Sequence, residues 1–338
     1  MTNGSNKNQE YVDPFGGPHV VVGPAYENYY SNIGSKLSGS MSVVDMSLYK
    51  TCRAPFLAIG HRFEKWYLSN KDNADVKKRF NDLVHVNRVE SSEEFRLSPR
   101  VEMLQNARKK NRRILCYFGK ILCDSAVPYD GGPAHSDIID WLGHSIEVAR
   151  ENPDLIMLIK SNPHEHRPEI ALELTEKLED ILPKESLPWN VILLEHNEFN
   201  AIDLIRYIDF AVLWNGTASL ELTGLGMPVL ICSHFGRHDY PISLNYPDDR
   251  LDYATKLSRY KFVKPDRELR EKAIALLHYM GMRDVAIPNT YSRRPITNDQ
   301  IGCPRWDMQR IDNYLTQGDP FMALAAQRIT EGITQSDA

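Results

Sequence analysis

Five short apolar runs constrain this chain more than anything else in it: residues 114–118, 155–159, 191–194, 210–214 and 229–232. Each has the length of a buried strand. The segments between them, 137–150, 169–181, 201–207 and 219–225, carry helical periodicity. Continuous apolar strands that alternate with helices predict right-handed crossovers and a parallel sheet covered on both faces. In such sheets ligands bind beyond the carboxyl ends of the strands. The loops at that edge carry Gly119-Lys120 with Asp124, then Lys160-Ser161-Asn162-Pro163-His164-Glu165-His166, then Glu195-His196-Asn197, then Asn215-Gly216-Thr217, and finally Ser233 to Tyr240 with His238. Polar and titratable residues thus recur in all five loops, the pattern of a binding cleft.

The fourth loop is the most informative. Asn215, Gly216, Thr217 and Ser219 supply a tight turn and hydroxyl caps, Leu220, Leu222 and Leu225 have the spacing of a buried face, and Gly224, Gly226 and Pro228 stop the helix. So short a helix gains little from propensity; its start, with open N–H groups and the positive end of the dipole, attracts phosphate. The same residues also suit a plain N-cap in an ordinary crossover. No GxxxxGK[ST] motif is present, and no GxGxxG sits between a strand and a helix.

At 338 residues the chain is long enough for two cores. Its net charge of -5 gives no global reason to expect nucleic acid as a partner. Lys109, Lys110, Arg112 and Arg113 form a local basic cluster that reads as a solvated linker between domains. No apolar run has the length of a membrane span, and the N-terminus lacks the pattern of a secretory signal, so a cytoplasmic location is expected. Cys52, Cys116, Cys123, Cys232 and Cys303 form no CxxC pair, and Cys116 and Cys232 fall in the strand runs. Neither a disulfide framework nor a zinc site is indicated.

Ahead of the regular region, residues 19–23 and 56–60 read as strands and 25–37 and 72–84 as helices. Behind it, 266–279, 306–315 and 321–333 read as helices, around a turn-rich segment at 284–305. His164 and His166 flank Glu165, which invites a metal, but a solvated loop or a grip on a nucleotide phosphate explains the same residues. Gly-x-Ser-x-Gly is absent, which leaves no hydrolase elbow. His61, His196 and His238 are isolated in sequence, and each is catalytic only if it meets the others in one cleft.

The order Gly119-Lys120 with Asp124, Lys160-Ser161-Asn162-Pro163, Asp203-Leu204, Asn215-Gly216-Thr217-Ala218-Ser219-Leu220-Glu221 with Gly226-Met227-Pro228-Val229, then Gly236 to Tyr240, resembles the nucleotide-binding half of bacterial capsule polysaccharide synthesis proteins. These are GT-B glycosyltransferases that include Kdo transferases. The resemblance covers about residues 112 to 260. It implies donor phosphate on Gly216, Thr217 and Ser219. Where the family has Lys-x-His-Pro this chain has Asn162, and His164 is the residue at hand to replace the missing histidine. Only about 110 residues precede the matching region, whereas a GT-B enzyme draws its acceptor-side groups from a full N-terminal domain.

The expectation is an α/β chain of GT-B-like layout: a reduced N-terminal α/β part over residues 1–110, a parallel Rossmann-type donor domain over 111–262, and a helical tail over 263–338. Donor-binding residues would be Gly119, Lys120, Lys160, Asn162, His164, Asn215, Gly216, Thr217, Ser219, Glu221, His238 and Tyr240. His61, Asp124 and His164 are the catalytic candidates. The expected activity is metal-independent glycosyl transfer from a sugar nucleotide, CMP-linked and Kdo-like by resemblance, to a glycan or glycolipid of the cell surface. No cofactor is implied, since the sugar nucleotide is a substrate. Peripheral association with the inner face of a membrane stays open, as do two other readings: a non-catalytic nucleotide-sugar or glycan-binding module, and a polyol-phosphate transferase with a CDP-linked donor.

Overall fold

The computed structural model describes residues 20–24, 40–45, 59–70, 73–74, 76–78, 99–122, 131–162, 165, 177–182, 187–195, 198–199, 204–216, 218–233, 242–259, 263–280, 286–288, 292–293, 296–297, 300–301, 305–320, 322–323 and 326–327. In chain order its main strands are β1 (Val20–Pro24), β2 (Ser40–Asp45), β3 (Arg113–Phe118), β4 (Leu155–Lys160), β5 (Val191–Leu193), β6 (Phe210–Leu213), β7 (Val229–Ile231) and β8 (Ala286–Pro288). Its helices are α1 (Ile59–Asn70), α2 (Pro99–Lys109), α3 (Ile138–Glu151), α4 (Leu178–Ile181), α5 (Ala218–Gly224), α6 (Arg250–Ser258), α7 (Arg267–Met280) and α8 (Met308–Gln317). The chain divides into two compact units, one made of Met1–Val86, His238–Pro241 and Ile274–Ala338, the other of Asn87–Arg237 and Ile242–Ala273.

The second unit holds a sheet in the order β5-β4-β3-β6-β7, and every pairing in it is parallel. The chain steps outward from β3 to β5, then restarts on the other side of β3, as in a Rossmann-type doubly wound sheet. Successive side chains point to opposite faces, and both faces are dry. Leu115, Tyr117, Met157, Ile159, Val212 and Trp214 share one cluster with Trp141 and Ile146 of α3, Leu178 of α4 and Tyr253 and Leu257 of α6. Ile114, Cys116, Ile156, Leu158, Ala211 and Leu213 share another with Val101, Leu104 and Ala107 of α2, Leu222 of α5, and Leu204 and Ile208. The uninterrupted apolar runs therefore read as they do because the strands are covered on both faces, with Ile192 and Leu193 of edge strand β5 half-buried.

Polar residues finish these elements. Asp137 caps α3 by accepting from the Asp140 N–H at 2.9 Å, and Asp249 caps α6 by accepting from Asp252 at 2.8 Å. Asn111, at φ 54, ends α2 in the left-handed conformation that asparagine tolerates, and the Arg112 N–H closes back on the Ala107 carbonyl at 3.0 Å. The basic cluster is consequently the tight turn from α2 into β3, not a linker: Lys109 closes the helix, Arg113 opens the strand, and Arg112 lies 4.6 Å over the Trp189 ring. The Asp209 carboxylate accepts from the Ile114 N–H at 2.7 Å and fixes the start of β3.

In the first unit β1, β2 and β8 form an antiparallel sheet. The strand at β2 carries no apolar periodicity strong enough to announce itself in the sequence. A strand was expected at 56–60, yet Ile59 and Gly60 open α1. A five-residue apolar run is ambiguous between strand and helix. Helical spacing decides here, because it brings Phe63, Trp66 and Tyr67 together, with Tyr279 5.6 Å from Phe63 and 5.2 Å from Trp66 between ring centroids. The turn-rich stretch contributes two-residue pairs, 292–293 with 305–306 and 296–297 with 300–301. The expected helices at 25–37 and most of 321–333 lie outside the described residues.

Asn190 binds three elements of the sheet unit through one amide. Its Nδ2 donates to the carbonyls of Ala149 at 2.6 Å, Leu155 at 2.8 Å and Asn152 at 3.2 Å, and the residue is 1% exposed. Asn190→Ala leaves those buried carbonyls short of a donor, and we expect it to lower unfolding free energy by about 3 kcal/mol, read from the urea midpoint.

Candidate functional site

Phe118 is in register with Lys160 on one side and with Leu213 on the other, so β4, β3 and β6 end at one level. Gly119 and Lys120 leave β3 there, and Trp214, Asn215 and Gly216 leave β6. This is the point where the strand order reverses, the position at which open α/β sheets open a crevice for ligands. Lys120 Nζ donates to Asn215 Oδ1 at 2.5 Å and joins the two loops across a sequence separation of 95 residues. The Gly119 N–H donates to the Lys160 carbonyl at 2.8 Å. A Cβ on Gly119 would stand 2.5 Å from the Leu178 side chain and 3.2 Å from the Lys160 oxygen, so any larger residue must displace Leu178.

The turn into α5 has the shape expected of it. Gly216 sits at φ +118, a conformation open to glycine, and space above it is clear: a Cβ there would meet nothing within 4 Å. The Ser219 hydroxyl donates to the Gly216 carbonyl at 2.7 Å, and Ser219 is fully buried. In this arrangement the Ser219 hydroxyl shapes the turn. Glu221 lies in the first turn of α5. The helix is seven residues long, so the loop on β3 matters as much to the site as the helix start does.

Lys160 closes β4 with 5% exposure. Burial lowers its pKa, and Cys116 and Glu198 act against that shift. Glu198 is itself 2.9 Å from Arg100. Lys160 therefore supplies positive potential under the site, whereas Lys120 supplies a donor at its surface. Asn162 lies in the turn after β4, where its carbonyl accepts from the Glu165 N–H at 3.0 Å.

Of the residues singled out in the sequence, Gly119, Lys120, Lys160, Asn162, Asn215, Gly216, Ser219 and Glu221 are brought to this one edge. Asp124, His164, Thr217, His238 and Tyr240 lie outside the described residues, as does the side chain of His61. Among the described residues no three His, Cys, Asp or Glu side chains come together as a metal site. No described helix is long and apolar enough to cross a membrane. Cys116 and Cys232 are free, buried core residues, and burial raises the pKa of both thiols.

The loop that reaches Gly132 belongs by sequence to this edge, but its close approach to β7 and the histidine pair beyond it are not marked by spacing. Gly132 is pressed against the end of β7, where a Cβ would fall 2.1 Å from the Cys232 carbonyl oxygen. The turn it starts runs to His135, whose carbonyl accepts the Gly132 N–H at 2.7 Å. His135 Nε2 is 2.8 Å from His144 Nδ1, and both rings face Tyr253. Burial first, and then His144, push the His135 pKa down to about 4, while Asp140 opposes the shift.

No family model matches the chain, and no curated protein sequence matches it. Solved structures of similar fold include the KpsC β-Kdo 2,7-transferase of Thermosulfurimonas dismutans, 13% identical over 76% of this chain and 66% of that one, with a TM-score of 0.32. Another is the glycosyltransferase SnogD of Streptomyces nogalater, 16% identical over 50% of this chain and 39% of that one, TM-score 0.27. A third is the UDP-GlcNAc 2-epimerase of Neisseria meningitidis bound to UDP-GlcNAc, 15% identical over 59% and 52%, TM-score 0.27. The chain spans less than two thirds of the length of each.

The histidine pair carries a pH dependence whose sign follows from its burial. His135 holds a proton less readily in the fold than at its ordinary value of 6.5, so its contribution to stability is present above pH 6.5 and is lost as pH falls towards about 4. The drop in urea midpoint from pH 7 to pH 4.5 should therefore shrink in His135→Gln.

Proposed function

We propose that this chain is a glycosyltransferase that holds an activated sugar nucleotide at the carboxyl edge of the β3–β6 switch point and passes the sugar to a glycan or glycolipid acceptor. The Lys120–Asn215 hydrogen bond across that point carries the reading, since it sets a cation and a glycine turn side by side where sheets of this kind bind phosphate groups. Clear space above Gly216 supports it. The sugar departs as an oxocarbenium-like species, and negative charge builds on the phosphate it leaves. Lys120 at the surface and Lys160 beneath offset that charge, and neither needs to reorganise as it develops. No step in this scheme calls for a cofactor.

A CMP-linked, Kdo-like donor is the finer assignment. A single phosphate needs one compact anion site, and Lys120 with the Asn215–Gly216 turn forms one. Glu221, in the first turn of α5, is placed to accept from ribose or sugar hydroxyls. A GT-B-like layout, a surface polysaccharide as product and a place at the inner face of the membrane belong to the same proposal.

Calorimetry with CMP, UDP and GDP tests it. CMP should bind, and Lys120→Met should weaken it at least tenfold, about 1.4 kcal/mol, the low end for a hydrogen bond to a charged group. Binding of UDP or GDP ten times tighter than CMP removes the donor assignment and leaves glycosyl transfer standing. A protein that binds nucleotide sugars but releases no free nucleotide in the presence of acceptor glycans is a binding module rather than an enzyme.

A further inference from the structure

Glu165, flanked by two histidines in the sequence, is not solvent-exposed as a residue of a solvated loop would be. It is fully buried. Its Oε2 accepts from the Leu178 N–H at 3.4 Å, and its Oε1 has no hydrogen-bond partner among the described residues. Its own N–H closes the turn back to the Asn162 carbonyl at 3.0 Å. Leu178, equally buried, is the residue whose side chain fills the space over Gly119. The turn after β4, the start of α4 and the turn after β3 are thereby linked in a chain of contacts that ends at Lys120.

We infer that Glu165 is a positioning residue of the anion site: its carboxyl ties the turn after β4 to α4, and through Leu178 it sets the path of Gly119 and Lys120. The role rests on the donor-site reading above. The charged groups that bear on the carboxyl are Lys177, Glu179 and Asp180 of the α4 segment. Burial, the largest influence, pushes the Glu165 pKa up to about 7, with Glu179 and Asp180 adding to the rise and the Leu178 N–H and Lys177 opposing it. The carboxyl therefore changes charge within the neutral range.

Glu165→Gln keeps the shape and removes the charge. The first readout needs no ligand: the difference in Tm between wild type and variant from pH 4 to pH 8.5. The folded state holds this proton more tightly than the unfolded chain does, so the wild type's advantage should be greatest at low pH and decline from its ordinary 4.5 through about 7. A flat difference overturns the buried-acid clasp. The second readout is calorimetric affinity for cytidine 5′-(methyl phosphate), chosen because a phosphate monoester would itself titrate near pH 6. Glu165→Leu, which removes the acceptor from the Leu178 N–H, should weaken binding at least threefold, and Glu165→Gln, which keeps an acceptor there, should restore it. Gly119→Ala, which pushes Leu178 from the other side, should also weaken binding at least threefold. If Glu165→Leu binds as tightly as the wild type, or if Glu165→Gln binds as weakly as Glu165→Leu, the positioning role is wrong. Failure of the wild type to bind any nucleotide removes the donor reading and the positioning role together, and the Tm difference then reports on the clasp alone.

Discussion

The sheet depends on β3 pairing on both of its edges and packing on both of its faces. Its parallel ladders to β4 and β6 set where all three strands end, and that common level is what puts Gly119-Lys120, Lys160 and Asn215-Gly216 at one edge. Each strand residue is committed to one of two dry clusters, so a slip of one residue would turn Tyr117 and Cys116 into each other's environments. The Asp209 carboxylate guards against that slip at the amino end, by holding the Ile114 N–H. A register defended at one end is what makes a site at the other end reproducible.

Charge at this edge is managed by depth. Lys120 is used at the surface, where its ammonium can donate to Asn215 and to a ligand. Lys160 is used below it, desolvated and balanced by Glu198. The buried acids and bases nearby are driven towards their neutral forms, Glu165 upward and His135 downward, for the common reason that a dry interior penalises charge. Close backbone approach is the other requirement. Gly132 against the Cys232 carbonyl is a position where a methyl group has no room, and at Gly119 a methyl group must displace Leu178.

The parallel Rossmann-type sheet was legible because its cause is local and repeated: apolar runs of strand length, each followed by a helix-period segment, with Gly and Pro as punctuation. The turn at Asn215-Gly216 was legible for the same reason, since its conformation depends on the residues in it. At the end of the strand expected at 56–60 the code is ambiguous, because a short apolar run suits a strand or the start of a helix, and for Ile59 and Gly60 the rings of Phe63, Trp66, Tyr67 and Tyr279 settle the matter through space. The position of α2 was illegible too: it precedes the regular alternation, and only its packing of Val101, Leu104 and Ala107 under the sheet assigns it there.

The sequence by itself determined the alternation, the sheet edge at which polar loops collect, and the glycine-hydroxyl turn before α5, all consequences of short-range periodicity and backbone preference. Tertiary structure alone decided which loops become neighbours and what each side chain is free to do. The bond from Lys120 to Asn215 spans two strands that are adjacent only because the sheet order reverses at β3. The Ser219 proton turns inward to Gly216, Lys160 is buried, and Glu165 leaves the solvent to meet Leu178. Burial and partnership are properties of three-dimensional neighbours, and a linear string of residue types does not contain them.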